Sequence, residues 1–202
     1  MAEPVAIAIL AKAPVPGFAK TRLISALGAD GAAALQAKLI AQAVATACAA
    51  KVGPVTLWAA PDETHPLFKT LQQEFGVKLR RQPDGDLGAR MHAAFGTEPT
   101  LIIGTDCPAL TPDHLALAAA SLRHHDAVVI PAEDGGYVLI GLRKPQPEVF
   151  SGMFWGTATV MDETRRRFTS LNLTWREAPA LWDVDTPHDL VRMQREICSA
   201  RP

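Results

Sequence analysis

A mostly parallel α/β sheet covered by helices on both faces, a three-layer α/β/α domain, is what this sequence predicts. Continuous apolar runs of strand length, such as Val5-Ala-Ile-Ala-Ile-Leu-Ala11 and Leu101-Ile-Ile103, lack the polar alternation of a strand with one wet face. Segments of helical length separate these runs, and that alternation is the signature of β–α–β units. No repeat, low-complexity tract or linker interrupts the 202 residues, so one domain spanning 1–202 is expected.

The first strand is expected over residues 5–11. A loop stiffened by Pro14 and Pro16 follows over 12–20, and then a helix over about 30–50. The apolar stretch 31–50 is mostly alanine broken by Gln36, Lys38 and Gln42, which suits a core helix better than a membrane span. Strand 55–60 is ended by Pro61-Asp62. A helix over 64–75, a strand over 77–82 and a helix over 86–95 lead to the fourth strand, 100–105. Thr111-Pro112 places a capping residue before Pro at the first helical position, and this helix closes near His124-His125. Strands 127–131 and 137–142 flank the hairpin-like turn Ala132-Glu-Asp-Gly-Gly136. Helix 157–168 with Thr157 as its cap, an outer strand 173–178, and a helix opened by Thr186-Pro187 and running to 199 complete the order.

Composition narrows the function. Twenty basic residues against 21 acidic ones leave a net charge of -1, so a broad nucleic-acid footprint is not expected and phosphate recognition must be local. Cys48, Cys107 and Cys198 fit neither a disulfide framework nor paired zinc spacing, which points to a reducing, cytoplasmic setting. Cys107 reads as a small buried filler. The N-terminus shows no basic leader or cleavage site, so no signal peptide is expected. The six histidines have no ligand spacing, and no Gly-x-Ser-x-Gly nucleophile elbow occurs. Arg165-Arg166-Arg167 reads as a solvated helix end. No heptad or apolar stripe marks an oligomer interface.

Two carboxylates carry the chemical expectation. Asp106 follows the strand Leu101-Ile-Ile103, and Asp185 precedes Thr186-Pro187. Thr111 and Thr186 already supply the helix caps, so both aspartates are surplus to that need. In an α/β sheet ligands collect beyond the carboxyl ends of the strands. Two carboxylates converging there can hold one divalent cation, with ligands at ~2.0–2.6 Å, against a phosphate. The loop Lys12-Ala-Pro-Val-Pro-Gly-Phe-Ala-Lys-Thr-Arg22 ends the first strand. It is neither a Walker loop, since Ala19 precedes Lys20, nor a dinucleotide fingerprint, since Gly17 stands alone. Lys20 supplies a point charge and Arg22 a planar fork, both suited to phosphate oxygens. Glu133 and Asp134 stand beside Tyr137, the one tyrosine, and either is a candidate base. An indole at Trp155, in a break before a helix, is a candidate stacking surface.

Five segments together resemble the nucleotide-diphospho-sugar transferase superfamily, the GT-A fold. They are Ala11-Lys-Ala-Pro-Val-Pro-Gly-Phe-Ala-Lys-Thr-Arg-Leu23, Gln82-Pro-Asp-Gly-Asp-Leu-Gly-Ala-Arg-Met91, Gly104-Thr-Asp-Cys-Pro108, Asp134-Gly-Gly-Tyr137 and Asp183-Val-Asp-Thr-Pro187. Within it the chain is most similar to a small bacterial glycosyltransferase-like group, some of whose members are encoded near selenium- or arsenic-sugar genes. A looser likeness runs to molybdenum-cofactor and phospholactate guanylyltransferases. The resemblance implies Mg2+ or Mn2+ held by Asp106 and by Asp185, with Asp183 as a rival. Thr105-Asp106-Cys107 departs from the Asp-x-Asp motif by lacking a second acid. It also implies nucleotide contacts from Lys12, Gly17, Lys20 and Arg22, and from Gly85, Leu87, Gly88, Arg90 and Trp155, with Asp134 facing the acceptor. The implied activity is a metal-dependent transferase, first a glycosyltransferase moving a sugar from a nucleotide sugar to a small acceptor. The alternatives are a nucleotidyltransferase using a nucleoside triphosphate and a phosphorylated acceptor, and a nucleotide-binding domain without catalysis.

Overall fold

The computed structural model describes residues 3–199. The strands are β1 (Ala6–Lys12), β2 (Val55–Ala60), β3 (Lys78–Arg81), β4 (Thr100–Ile103), β5 (Ala127–Pro131), β6 (Tyr137–Leu142) and β7 (Trp175–Glu177). The helices are α1 (Ile24–Ala49), α2 (Pro66–Phe75), α3 (Leu87–Ala94), α4 (Pro112–Ser121), α5 (Val160–Ser170) and α6 (Pro187–Ser199). The strands form one sheet in the order β3-β2-β1-β4-β6-β5-β7. All neighbours are parallel except β6, which runs antiparallel to both β4 and β5. This is the mostly parallel mixed sheet that the apolar runs imply. The chain leaves β1 for β2 and β3 on one side, then returns for β4 on the other, so a crevice opens between β1 and β4.

Side-chain alternation divides the core into two layers. Ile7, Ile9, Leu57, Leu101, Ile103, Val128 and Ile130 face α1, α2 and α4, where they meet Ile40, Val44, Phe68, Leu71 and Leu115. Ala8, Trp58, Ile102, Val129 and Ile140 point the other way, toward Met91 of α3 and Met161 and Phe168 of α5. Each fully buried aliphatic or aromatic side chain contributes about 1.5–3 kcal/mol. A third cluster, with Leu23, Leu39, Trp182, Val184 and Leu190, fastens α6 to α1 and so fixes the segment carrying Asp183 and Asp185.

Several boundaries differ from expectation for identifiable reasons. Helical structure begins at Ile24, but Gly28 (φ 71) breaks it after one turn, and the regular helix resumes near the expected start. The stretch Thr21–Ala49 is long and apolar enough to cross a membrane by composition. Its stripe of Ala32, Gln36, Leu39, Ile40, Val44 and Ala47 is instead buried inside this domain. Thr111 caps α4 as expected, in a reciprocal box with His114. Thr157 does not cap α5. Its hydroxyl donates to the Phe154 carbonyl at 2.9 Å, and the Met161 N–H of the first turn donates to the Gly135 carbonyl at 2.8 Å. The hairpin before β6 therefore satisfies that helix end. Arg167 is likewise not a solvated residue. It donates to the carbonyls of Glu148, Val149 and Ser151, and to Glu163, tying a loop to α5. Cys48 and Cys107 are free thiols, and the Cys198 side chain lies outside the described residues.

Candidate active site

The loop after β1 is folded so that one lysine turns inward. The N–H groups of Phe18 and Ala19 both donate to the Val15 carbonyl at 3.0 Å, and Ala19 is buried. Lys20 then adopts the left-handed region (φ 46, ψ 48), which costs a non-glycine residue roughly 1–2 kcal/mol. Its buried ammonium lies 2.8 Å from Asp106 Oδ1, 2.8 Å from Asp185 Oδ1 and 2.7 Å from the Val184 carbonyl. All three of its protons are used. Burial works against the charge, yet Asp106 and Asp185 together outweigh it and hold the lysine above its ordinary range.

The two aspartates reach this point from distant parts of the chain. Asp106 lies just beyond β4, where Thr105 accepts a hydrogen bond from buried Gln36 at 2.9 Å. The Val184 N–H donates to the Asp106 carbonyl at 2.9 Å, locking one loop to the other. At α6, Asp189 Oδ2 accepts from the N–H groups of Asp185 (3.0 Å) and Thr186 (2.7 Å) and from the Thr186 hydroxyl (2.8 Å). Asp189 thus does the capping, and the Asp185 carboxylate is left to face Lys20. Because both Oδ1 atoms touch one nitrogen, they are at most twice that bond length apart. Arg22, largely exposed, stands 4.0 Å from Asp185 Oδ2. Asp183 is pushed up to about 7 by burial and by the nearby charges of Asp106, Asp134 and Asp185.

Two carboxylates, Asp106 and Asp185, therefore meet one ammonium, with Arg22 at the edge and Asp183 and Asp134 on the adjoining cavity wall. Among the described residues no three metal-ligating side chains are arranged around a common point. The pair Asp106 and Asp185 still fits Mg2+ or Mn2+, which are commonly held by one or two carboxylates with phosphate and water completing the shell. Cys107 is no rival nucleophile, since burial and Asp183 raise its thiol to about 12.

Three adjoining cavities form one cleft along the carboxyl edge of the sheet. The largest, about 700 Å3, lies over β1, β2 and β3 and is lined by Leu10, Lys12, Phe18, Gln82, Leu87 and Arg90 among others. The central one, about 440 Å3, is lined by Lys20, Arg22, Gln36, Thr105, Asp106 and Asp185. The third, about 420 Å3, is bounded by Arg22, Asp134, Tyr137, Trp155, Asp183 and Asp185. Leu87 borders all three.

Other expected residues fall differently. Lys12 donates to the Phe18 carbonyl at 2.9 Å and borders both the large and the central cavity. Arg90 borders only the large cavity, where its Nε donates to Gly85. Gly17 (φ 82) and Gly85 (φ 119) set backbone turns and line none of these cavities. Gly88 is not a ligand approach. A Cβ there would meet the Phe150 carbonyl at 2.8 Å and the Trp155 ring at 3.0 Å, so its bareness seats Trp155. Glu133 is withdrawn as a base because Arg192 engages both its oxygens at 2.7 and 3.1 Å, holding it below the ordinary range. Asp134 Oδ1 accepts the Gly136 N–H at 2.9 Å at the cavity edge. Gln36, Phe18 and Gln82 are lining residues that sequence reading passed over. Gln36 was visible as a polar residue in an alanine-rich helix; the others carry no such signal.

A family model described as "Uncharacterized protein conserved in bacteria (DUF2064)" matches residues 43–157, more than half of the sequence. The chain belongs to the DUF2064 family. This DUF2064 protein is also similar to a Desulfovibrio desulfuricans G20 protein provisionally described as a nucleotide-diphospho-sugar transferase. They share 30% identity over 92% of this chain and 84% of the other, with a TM-score of 0.82. The fold is that of the nucleotide-diphospho-sugar transferases, as the five motifs implied. More distant likenesses extend the fold alone. One is the 4-diphosphocytidyl-2C-methyl-D-erythritol synthase of Anaerococcus prevotii DSM 20548, at 12% identity over 96% and 98% of the two chains and TM-score 0.65. Another is Rv0371c of Mycobacterium tuberculosis in complex with manganese, at 12% identity over 96% and 99% and TM-score 0.59. No curated protein matches the sequence significantly.

Proposed function

We propose that this DUF2064 protein is a metal-dependent transferase using a nucleotide-activated donor, and that it moves a sugar from a nucleotide sugar to a small acceptor. The observation that carries this reading is the meeting of Asp106 and Asp185 at Lys20, in the middle of a three-part cleft. The large, mainly apolar cavity suits a nucleoside, and the central one suits its phosphates. Asp106 and Asp185 would hold Mg2+ or Mn2+, which when bound neutralises charge on the departing diphosphate. Lys20, once its carboxylate partners are otherwise neutralised, is the ammonium nearest a phosphate in the central cavity, and Lys12 and Arg22 flank it. Fixed charges of this kind act where negative charge develops. The similarity to a nucleotide-diphospho-sugar transferase-like protein at 30% identity supports this donor class. The manganese complex of Rv0371c agrees with the metal. The free thiols Cys48 and Cys107 suit a cytoplasmic setting.

A second reading, nucleotidyl transfer with release of pyrophosphate, is favoured by the three cations on the β1 loop, which suit a triphosphate. Thermal shift against nucleoside triphosphates and nucleotide sugars, with and without Mn2+, separates the readings. Stabilisation by sugar nucleotides with Mn2+ is expected. Stabilisation by triphosphates alone would favour nucleotidyl transfer. No stabilisation by either would leave neither activity standing.

A further inference from the structure

The cavity between β6 and α5 has walls of a distinct chemistry. Asp134, Asp183 and Asp185 supply three carboxyl groups, and Tyr137 and Trp155 supply an aromatic wall. Among the described residues the only cation on its lining is Arg22, which is 74% exposed and 4.0 Å from Asp185. The Trp155 ring is held by packing, edge to face with Tyr137 at 6.4 Å and over Gly88, and its buried Nε1 has no hydrogen-bond partner. The Tyr137 hydroxyl is spent on the Met91 sulfur at 3.6 Å. With Asp106 and Asp185 committed to a metal, Asp134 and Asp183 still leave this cavity acidic.

Such a wall repels a phosphate or carboxylate brought against it. It accepts protons from hydroxyl or ammonium groups and offers an aromatic surface to C–H faces. We propose that the acceptor is a neutral or amino-bearing polyol, a sugar or sugar alcohol without phosphate or carboxylate, bound between Trp155 and Asp134. This rests on the sugar-transfer reading above and deepens it by naming the acceptor class. In the step it serves, an acceptor hydroxyl oxygen forms a bond to the donor's anomeric carbon. The bond from that carbon to the diphosphate oxygen breaks, and its electron pair leaves on the diphosphate. The hydroxyl proton passes to the Asp134 carboxylate.

The test is saturation-transfer NMR on the full chain with Mg2+, using glucose, glucosamine and sorbitol, each beside its 6-phosphate. At least one unphosphorylated probe should bind, lose its signal in Trp155→Ala, and bind at least tenfold more tightly than its 6-phosphate. In Asp134→Asn, which keeps a partner for the Gly136 N–H, that gap should narrow several-fold while the fold is retained. The proposal is overturned if no unphosphorylated probe shows Trp155-dependent binding, or if the 6-phosphates bind as well. Nucleotide stabilisation with Mg2+, measured on the same samples, keeps the two ideas apart. Its survival alongside failed acceptor binding sinks the acceptor class alone, and its loss sinks the donor reading.

Discussion

The two flanks of the cleft carry opposite charge. Over β1, β2 and β3 the lining holds Lys12, Arg81 and Arg90 against the single acid Asp84, with an apolar floor of Leu10, Ala11 and Leu87. Beside β6 and α5 it holds Asp134, Asp183 and Asp185 against the single cation Arg22. Between them Lys20 sits in contact with Asp106 and Asp185. The contrast gives the proposed donor and acceptor two unlike surfaces within one cleft. On the proposed reading an anionic donor would be drawn to one flank and kept from the other, with the reacting bond where the signs meet.

The largest expected effect comes from the junction itself. Asp106→Asn should lower metal-dependent nucleotide binding or transfer by roughly 100-fold or more, beyond what disturbing a metal ligand's supports costs. Titration calorimetry with Mg2+ and nucleotide measures it, and unchanged binding would remove Asp106 from the metal site. Lys20→Ala leaves two neighbouring carboxylates and the Val184 carbonyl without their donor. Because the carboxylates are about 40% exposed, the loss in urea denaturation should be about 1–3 kcal/mol rather than that of a wholly buried pair. Mn2+ should recover part of it; no recovery would show that the ion does not take the place of the ammonium.

On the acidic flank, Gly88→Ala should destabilise by about 1–3 kcal/mol, because the Phe150 carbonyl and Trp155 cannot both give way. A thermal melt unchanged from wild type would show that the Trp155 seat is plastic. Asp183 gives the pH test. Its folded value, about 7, exceeds its unfolded value, so the folded state keeps a proton that the unfolded chain releases in between. That contribution is complete below the unfolded value and is lost as pH rises through about 7. Asp183→Asn should therefore raise the metal-free melting temperature by several degrees at pH 8, by less at pH 5 and by nothing at pH 3. Equal gains at pH 3 and pH 8 would mean that burial and the neighbouring acids do not hold a proton on Asp183. On the cationic flank Arg90 is a partly exposed single charge. Arg90→Gln should weaken nucleotide binding only about two- to fivefold, and a larger loss in calorimetry would mark it as a direct phosphate contact.

The order of elements along the chain, the mostly parallel sheet and the approach of Asp106 to Asp185 could be anticipated, whereas the order of strands within the sheet could not. Apolar runs name buried strands, and Thr111 caps its helix as its Pro neighbour suggests; at Thr186-Pro187 the cap expected of Thr186 is supplied by Asp189 instead, which still leaves Asp185 free. The direct contact of Lys20 with both acids could not. It depends on a left-handed residue and on the Val184–Asp106 hydrogen bond, neither of which leaves a mark in composition. Gly88 shows the converse limit. A glycine in a ligand-facing segment looks like room for a substrate, and only its neighbours reveal that the room is taken by an indole. Glu133 failed as a base for the same reason, since its partner Arg192 lies 59 residues away.

The reversal of β6 has a consequence for how members of such a family can diverge. Asp134 arrives at the cleft on the tip of a two-strand hairpin, whereas Lys20, Asp106 and Asp185 arrive on segments anchored to core helices. Gly135 pins the backbone of that tip, since any side chain there would strike the Ala158 carbonyl at 2.2 Å. Glu133 and Asp134, just before it, are solvent-exposed, so that side of the tip can be exchanged or lengthened without disturbing a crossover. Selection for a new co-substrate could act on this tip while Lys20, Asp106 and Asp185, the proposed grip on the donor, are inherited unaltered.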